Sequence, residues 1–122
     1  MQKNESTENY LERIYMLSEA QGNVRSIDIA DALGFSKPSV SNAMKRLQQN
    51  GYVIMDGDHS IHLTDEGTAI ARRVYQRHED LAHYFMAIGV SEANAYKDAC
   101  MIEHDISEET YACILAQYEK LK

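Results

Sequence analysis

Cys100, Glu103 and His104 place a thiol, a carboxylate and an imidazole within the stretch Ala99-Cys100-Met101-Ile102-Glu103-His104-Asp105. The stretch reads as helix, and at about 100° per residue the three side chains share one face within roughly a third of a turn. Such donors suit a transition metal ion. Three donors on one helix seldom complete a coordination shell, so other segments must supply the rest. His78 is one further nitrogen donor: it lies on the helical stripe Ile70, Val74, His78, Leu81, Phe85, where a histidine serves either as core or as ligand. Two other chemistries compete. Cys100 can act as a redox thiol sensing an oxidant or a small ligand without metal. Glu103 can act as a general base beside a histidine-bound metal. The second needs a substrate cleft and further acid–base groups or a glycine-rich phosphate loop, none of which the sequence offers, so no enzyme is expected.

The chain that must position these groups has 122 residues, 44% of them hydrophobic, which is enough for one compact unit or two small ones sharing a core. No apolar run approaches a membrane span, and the start lacks a basic-then-apolar leader; a cytoplasmic protein with no membrane partner is expected. Two cysteines, Cys100 and Cys113, suit a reducing compartment. The net charge of −7 argues against nucleic acid only until it is divided. Residues 1–77 carry nine Lys/Arg against ten Asp/Glu, whereas residues 78–122 carry three against nine. The acidity lies in the C-terminal part, where a cation can offset it.

Periodicity predicts a mainly α fold. A first helix runs from about Ser6 or Thr7 to Glu19, with Tyr10, Ile14 and Leu17 apolar, Glu5 and Glu8 favourable near its N-terminus, and Gln21-Gly22-Asn23 ending it. Asn9 and Glu12 flank its stripe and read as solvated. Ser26 is expected to cap a short helix to Leu33, stopped by Gly34. Ser36 caps a third helix reaching about Asn50, with Val40, Ala43, Met44 and Leu47 as its buried stripe. Its other face and the turn before it offer Ser36, Lys37, Pro38, Ser39, Ser41, Asn42, Lys45 and Arg46, a helix-turn-helix pattern whose second helix suits the major groove. Tyr52–Met55 and Ser60–Leu63 alternate like strands around Asp56-Gly57-Asp58, which makes a hairpin wing with an acidic tip. Thr64 opens a long helix to Met86 or Ala87, on which Arg72, Arg73 and Arg77 can reach phosphates or acidic neighbours. Ser91 and Ser107 cap two more helices. The expected organisation is a winged helix-turn-helix domain (three helices plus β-hairpin) over residues 1–63 and a helical metal-binding and dimerisation region of about three helices over 64–122. The last helix and part of the long one supply the homodimer face, for a symmetric protein on two half-sites.

These pieces, in this order, resemble the DtxR/MntR family of iron- or manganese-dependent winged-helix repressors. The resemblance is carried by Glu8-Asn9-Tyr10-Leu11-Glu12-Arg13-Ile14-Tyr15, Asp28-Ile29-Ala30, Leu63-Thr64-Asp65-Glu66-Gly67, Arg77-His78-Glu79 and Cys100-Met101-Ile102-Glu103-His104. It implies a metal site drawing on the first, fourth and fifth helices, with Glu12, His78, Cys100, Glu103 and His104 as ligands and Asn9 as a weak, uncharged one. Manganese-type members have an aspartate and a glutamate at the places of Asn9 and Cys100; iron-type members have a methionine and a cysteine. Glu12 matches the manganese type, so the site is a hybrid. The resemblance further implies that Ala82 and Tyr96 cannot build the ancillary site of the longer iron regulators, and that no SH3-like domain follows. From the softness of thiolate and imidazole, Fe(II) is expected first and Mn(II) second, one or two ions per subunit. The expected action is metal-dependent repression by a homodimer on a palindromic double-stranded operator; the alternative is a winged-helix regulator sensing oxidant or small ligand through Cys100 without a metal corepressor.

Overall fold

The computed structural model describes residues 3–122, with side chains from Thr7 onward. The elements run α1 (Lys3–Gln21), α2 (Ser26–Leu33), α3 (Lys37–Gln49), β1 (Val53–Met55), β2 (Ile61–Leu63), α4 (Asp65–Ala87), α5 (Glu92–Ile102) and α6 (Glu108–Leu121). The fold is mainly helical, a winged helix-turn-helix followed by helices. The chain separates into two compact units after Arg72, inside α4. No helix among the described residues is long and apolar enough to cross a membrane.

In the first unit Leu11, Ile14, Val24, Ile29, Val40, Met44 and Leu47 form the core. α1 begins a turn before the expected Ser6 or Thr7; Glu5 and Ser6 lie outside the described side chains. The expected cap of α2 is also corrected. Ser26 is the first helical residue and Arg25 the cap, because Asp28 reaches back to accept the Arg25 N–H at 2.9 Å. Gly34 ends α2 in the left-handed region at φ 71°, donating to the Ala30 carbonyl at 2.9 Å. Ser36 caps α3 as expected, its hydroxyl accepting the Ser39 N–H at 3.3 Å.

The wing pairs Val53 with Leu63, Ile54 with His62 and Met55 with Ile61, antiparallel. The Ile61 N–H also donates to the Val24 carbonyl at 2.7 Å, which ties the wing to the start of the helix-turn-helix. Asp56-Gly57-Asp58 is only part of the turn. It extends to Ser60, with His59 at φ 68°. Nor is the tip simply acidic. Asp56 pairs with His62 at 2.7 Å, and Asp58 accepts the Ser60 N–H at 3.1 Å, the hydrogen bond that chiefly lowers its pKa.

Thr64 joins wing to α4: its N–H donates to Tyr52, its hydroxyl donates to the Gly51 carbonyl at 2.7 Å, and the same oxygen accepts the Gly67 N–H at 3.1 Å. The first turn of α4 therefore passes so close to the residue before β1 that a Cβ on Gly67 falls 2.1 Å from the Tyr52 carbonyl oxygen. Alanine ordinarily gains about 1 kcal/mol over glycine within a helix. Overpacking against a fixed backbone oxygen costs roughly 1–3 kcal/mol or more. Gly67→Ala is therefore expected to lower stability by about 2 kcal/mol in denaturant unfolding; an unchanged midpoint contradicts this packing.

In the second unit Leu81 and Ala82 of α4 meet Ala95 and Ala99 of α5, small side chains that let the helices approach closely. Phe85, Tyr96, Ile102, Ile106, Tyr111 and Ile114 pack around them. Ser91 caps α5 and Ser107 caps α6, each hydroxyl accepting the N–H three residues on. The expected helix over 99–105 is shorter in fact. α5 ends at Ile102, Glu103 is its C-cap, and His104 lies in the turn that follows.

Candidate metal centre and nucleic-acid face

Within the second unit the ligating atoms of His78, Cys100 and Glu103 all lie within 4.8 Å of one another. His78 comes from α4, where its ring is 6.5 Å from Tyr75, stacked, and 5.6 Å from Tyr96. It is 8% exposed, so the core position read from the stripe and the donor position coincide. Cys100 lies one turn before the end of α5, half-buried. Glu103 has a fully buried side chain whose two oxygens face different imidazoles: Oε2 is 3.3 Å from His78 Nδ1 and Oε1 is 3.3 Å from His104 Nε2. The early end of α5 makes this possible, because His104 leaves the helix and turns back on Glu103.

The donor set fits a divalent transition metal. A carboxylate without solvent is expensive unless charge or hydrogen bonds offset it, and a cation held by the same oxygens supplies that charge. Imidazole, thiolate and carboxylate together bind such ions from Mn(II) to Zn(II). Glu12 lies on α1 in the first unit and is itself buried at 4% exposure; Asn9, one turn earlier on the same helix, is half-buried.

Sequence reasoning missed the tyrosine contacts of α4, those of Tyr75 and Tyr96 with His78 and that of Tyr111 with Asp80. Tyr96 packs on His78, and burial, then the charge of Glu79, raises its phenol pKa. The Tyr111 hydroxyl on α6 donates to Asp80 at 2.5 Å. Arg77 does reach an acidic neighbour, Glu108 at 3.0 Å. A tyrosine on an apolar stripe carries a hydroxyl that must find a partner when buried, which is the only local signal for these contacts.

In the first unit Ser36, Lys37, Pro38, Ser39, Ser41, Asn42, Lys45 and Arg46 are all exposed, while Val40, Ala43, Met44 and Leu47 are buried. The face of α3 is thus presented whole. Ser36 and Ser39 are partly committed, since the Ser36 hydroxyl donates to that of Ser39 at 2.9 Å. Asn42, Lys45 and Arg46 remain the amide and cations able to meet base edges or phosphates.

A winged helix presenting a polar, cationic recognition face, followed by a helical region holding transition-metal donors, defines a metal-responsive transcriptional regulator. Comparison with known proteins agrees. Residues 4–61 match the iron dependent repressor N-terminal DNA binding domain, and residues 64–122 match the iron dependent repressor metal binding and dimerisation domain. The chain belongs to this iron-dependent repressor family, whose members are transcriptional repressors and not enzymes. It is 41% identical over 102 residues to the HTH-type transcriptional regulator MntR of Shouchella clausii (strain KSM-K16), covering 84% of this chain and 71% of that protein. It is 39% identical over the same length to MntR of Bacillus subtilis (strain 168), covering 84% and 72%. Among solved structures, a manganese-dependent transcriptional repressor in complex with manganese superposes with a TM-score of 0.83 at 26% identity, over 93% of this chain and 52% of that one. ScaR with bound Zn2+ gives 0.73 at 26%, over 92% and 54%. The chain thus spans about half the length of these solved relatives.

Proposed function

We propose that the chain is a manganese-responsive, homodimeric repressor that acts in the cytoplasm on a palindromic operator. The observation that carries the reading is the convergence of His78, Cys100 and Glu103 donors within 4.8 Å in a chain that also presents the whole outer face of α3. Donor softness put Fe(II) first. That order is reversed here: the relatives are MntR regulators, and one solved relative is a manganese-dependent repressor holding manganese. Cys100 is the one soft donor, and it widens the response toward Fe(II), Co(II) and Zn(II).

In this proposal His78 and His104 would give nitrogen, Glu103 and Glu12 carboxylate oxygen and Cys100 a thiolate to a divalent cation. Asn9 adds at most a neutral oxygen. Glu12 belongs to α1 of the DNA-reading domain, residues 1–63, and the other ligands to the metal-binding and dimerisation domain, 64–122. A divalent cation held by these residues would offset their carboxylate charge, and a Glu12 ligand would couple metal binding to the DNA-reading domain. Glu12 would then restrain the reading domain, and the distribution of recognition-helix spacings in the dimer would narrow to one that fits two half-sites. Homodimer formation is supported by the exposed Ile88, Met101 and Leu121 and by α6, none of whose residues is buried within one chain.

Selection from a randomised pool of DNA duplexes tests the proposal. With Mn(II) the protein is expected to enrich a two-fold-symmetric sequence; enrichment of the same sequence with chelator in place of Mn(II) overturns it. On the enriched site Arg46→Ala is expected to lower affinity by about 1–3 kcal/mol. Its Mn(II) affinity without DNA stays at the wild-type value, and a change there contradicts the division of labour between α3 and the metal centre.

A further inference from the structure

Arg77 lies beside the metal centre without belonging to its donor set. Its side chain is only 15% exposed, and its guanidinium is engaged on three sides. Nη1 donates to Glu108 Oε1 at 3.0 Å, Nη2 donates to the Ile106 carbonyl at 3.2 Å, and the group lies over the Tyr111 ring, 4.8 Å from its centroid. Tyr111 in turn donates its hydroxyl to Asp80 Oδ2 at 2.5 Å. Burial first, and then the hydrogen bond to Asp80, push the Tyr111 pKa up, so the phenol remains a donor at any physiological pH.

Sequence positions give this network its meaning. Arg77 precedes His78, and Asp80 follows it by two, so α4 contributes a contact on either side of a candidate ligand. The other ends are Ile106, two residues after His104, and Glu108 and Tyr111 in the first turns of α6. The turn bearing Glu103 and His104 is therefore pinned to α4 through Ile106, and α6 is pinned to the same helix through Tyr111. The contacts differ in weight. Glu108 is 81% exposed, so its ion pair contributes little. The carbonyl of Ile106, the ring of Tyr111 and the bond to Asp80 are the half-buried contacts that hold the arrangement. A planar fork can serve a carbonyl, a carboxylate and a ring at once, which a lysine ammonium cannot.

We propose that Arg77, braced by Tyr111 and Asp80, is a positioning residue for the metal centre: it sets the Glu103–His104 turn at its distance from His78 and ties that distance to the seating of α6. The inference rests on the reading of His78, Cys100, Glu103 and His104 as metal ligands. It makes the start of the dimerisation helix part of the support of the metal site.

The test uses the full chain and Mn(II) alone, without DNA. Free Mn(II) is followed by electron paramagnetic resonance, and amide hydrogen exchange is followed in the metal-free protein. Arg77→Met is expected to weaken Mn(II) binding about tenfold or more, as losing a ligand's support does elsewhere, with the number of ions per subunit unchanged. Arg77→Lys recovers only part of the loss. Tyr111→Phe keeps the ring and loses one hydrogen bond, and is expected to weaken binding about fivefold. In each variant the amides of residues 103–107 exchange faster than in wild type. If Arg77→Met does not fold, the other two variants decide. Wild-type Mn(II) affinity in the folded variants overturns the inference alone, as does weaker binding with unchanged exchange at 103–107. A wild-type protein that binds none of Mn(II), Co(II) or Zn(II) overturns the ligand reading and this inference with it.

Discussion

Glu103→Gln is expected to abolish metal-activated operator binding while leaving the metal-free protein folded. The substitution keeps the shape of a fully buried side chain whose oxygens stand 3.3 Å from each of two imidazoles, removes its charge and turns one acceptor into an amide donor. As the shared donor between His78 and His104 it should matter more than a supporting group, whose loss costs about 10–100-fold in metal affinity; at least the upper end, roughly 100-fold, is expected. Stability points the other way. A buried carboxylate carries a desolvation cost that a neutral amide does not, so the metal-free variant should unfold within about 1 kcal/mol of wild type. The pairing of these results is what discriminates. If the variant binds Mn(II) like wild type and loses several kcal/mol of stability, Glu103 is a structural acid bridging two histidines and the centre is not a metal site.

Cys100→Glu is expected to change which metal the protein answers to. Cys100 is half-buried, and its thiol lies within 4.8 Å of the His78 and Glu103 ligating atoms. A carboxylate in place of the thiolate hardens the set, favouring Mn(II) and disfavouring Zn(II) and Co(II). In a competition titration the preference for Mn(II) over Zn(II) should rise by about tenfold or more, close to 1.4 kcal/mol. Mn(II)-dependent DNA binding should then need less metal. An unchanged preference means that Cys100 does not touch the ion, and the hybrid character of the site disappears with it.

Much of this architecture was legible because its causes are local. Val40, Ala43, Met44 and Leu47 recur at helical spacing, so the buried and presented faces of α3 follow from the order of residues alone. Ser36, Ser91 and Ser107 cap helices through contacts three residues away. Ser26 shows the limit of that rule. Asp28 outcompetes it by capping from inside the helix, and two adjacent local signals cannot be ranked without geometry. The end of α5 was not legible at all. No glycine or proline marks it, and the turn is held by Arg77 of α4 on the Ile106 carbonyl, a contact 29 residues away in sequence. The donor cluster was legible in kind but not in membership. The local pattern gave Cys100, Glu103 and His104, whereas His78 is indistinguishable from a core histidine until α4 and α5 are packed. Family resemblance, not spacing, supplied Glu12. The Fe(II) preference finds no support among the relatives named MntR, since donor softness alone omits geometry and overweights a single thiol.

The most direct test of the central claim, that the metal ion is the corepressor, is reciprocity. Mn(II) affinity is measured by titration with and without the operator enriched from the duplex pool, and operator affinity with and without saturating Mn(II). Linkage requires the two ratios to be the same. Both are expected to show mutual tightening, of roughly 5–150-fold. Equal Mn(II) affinity in the presence and absence of operator contradicts it, however tightly each binds alone.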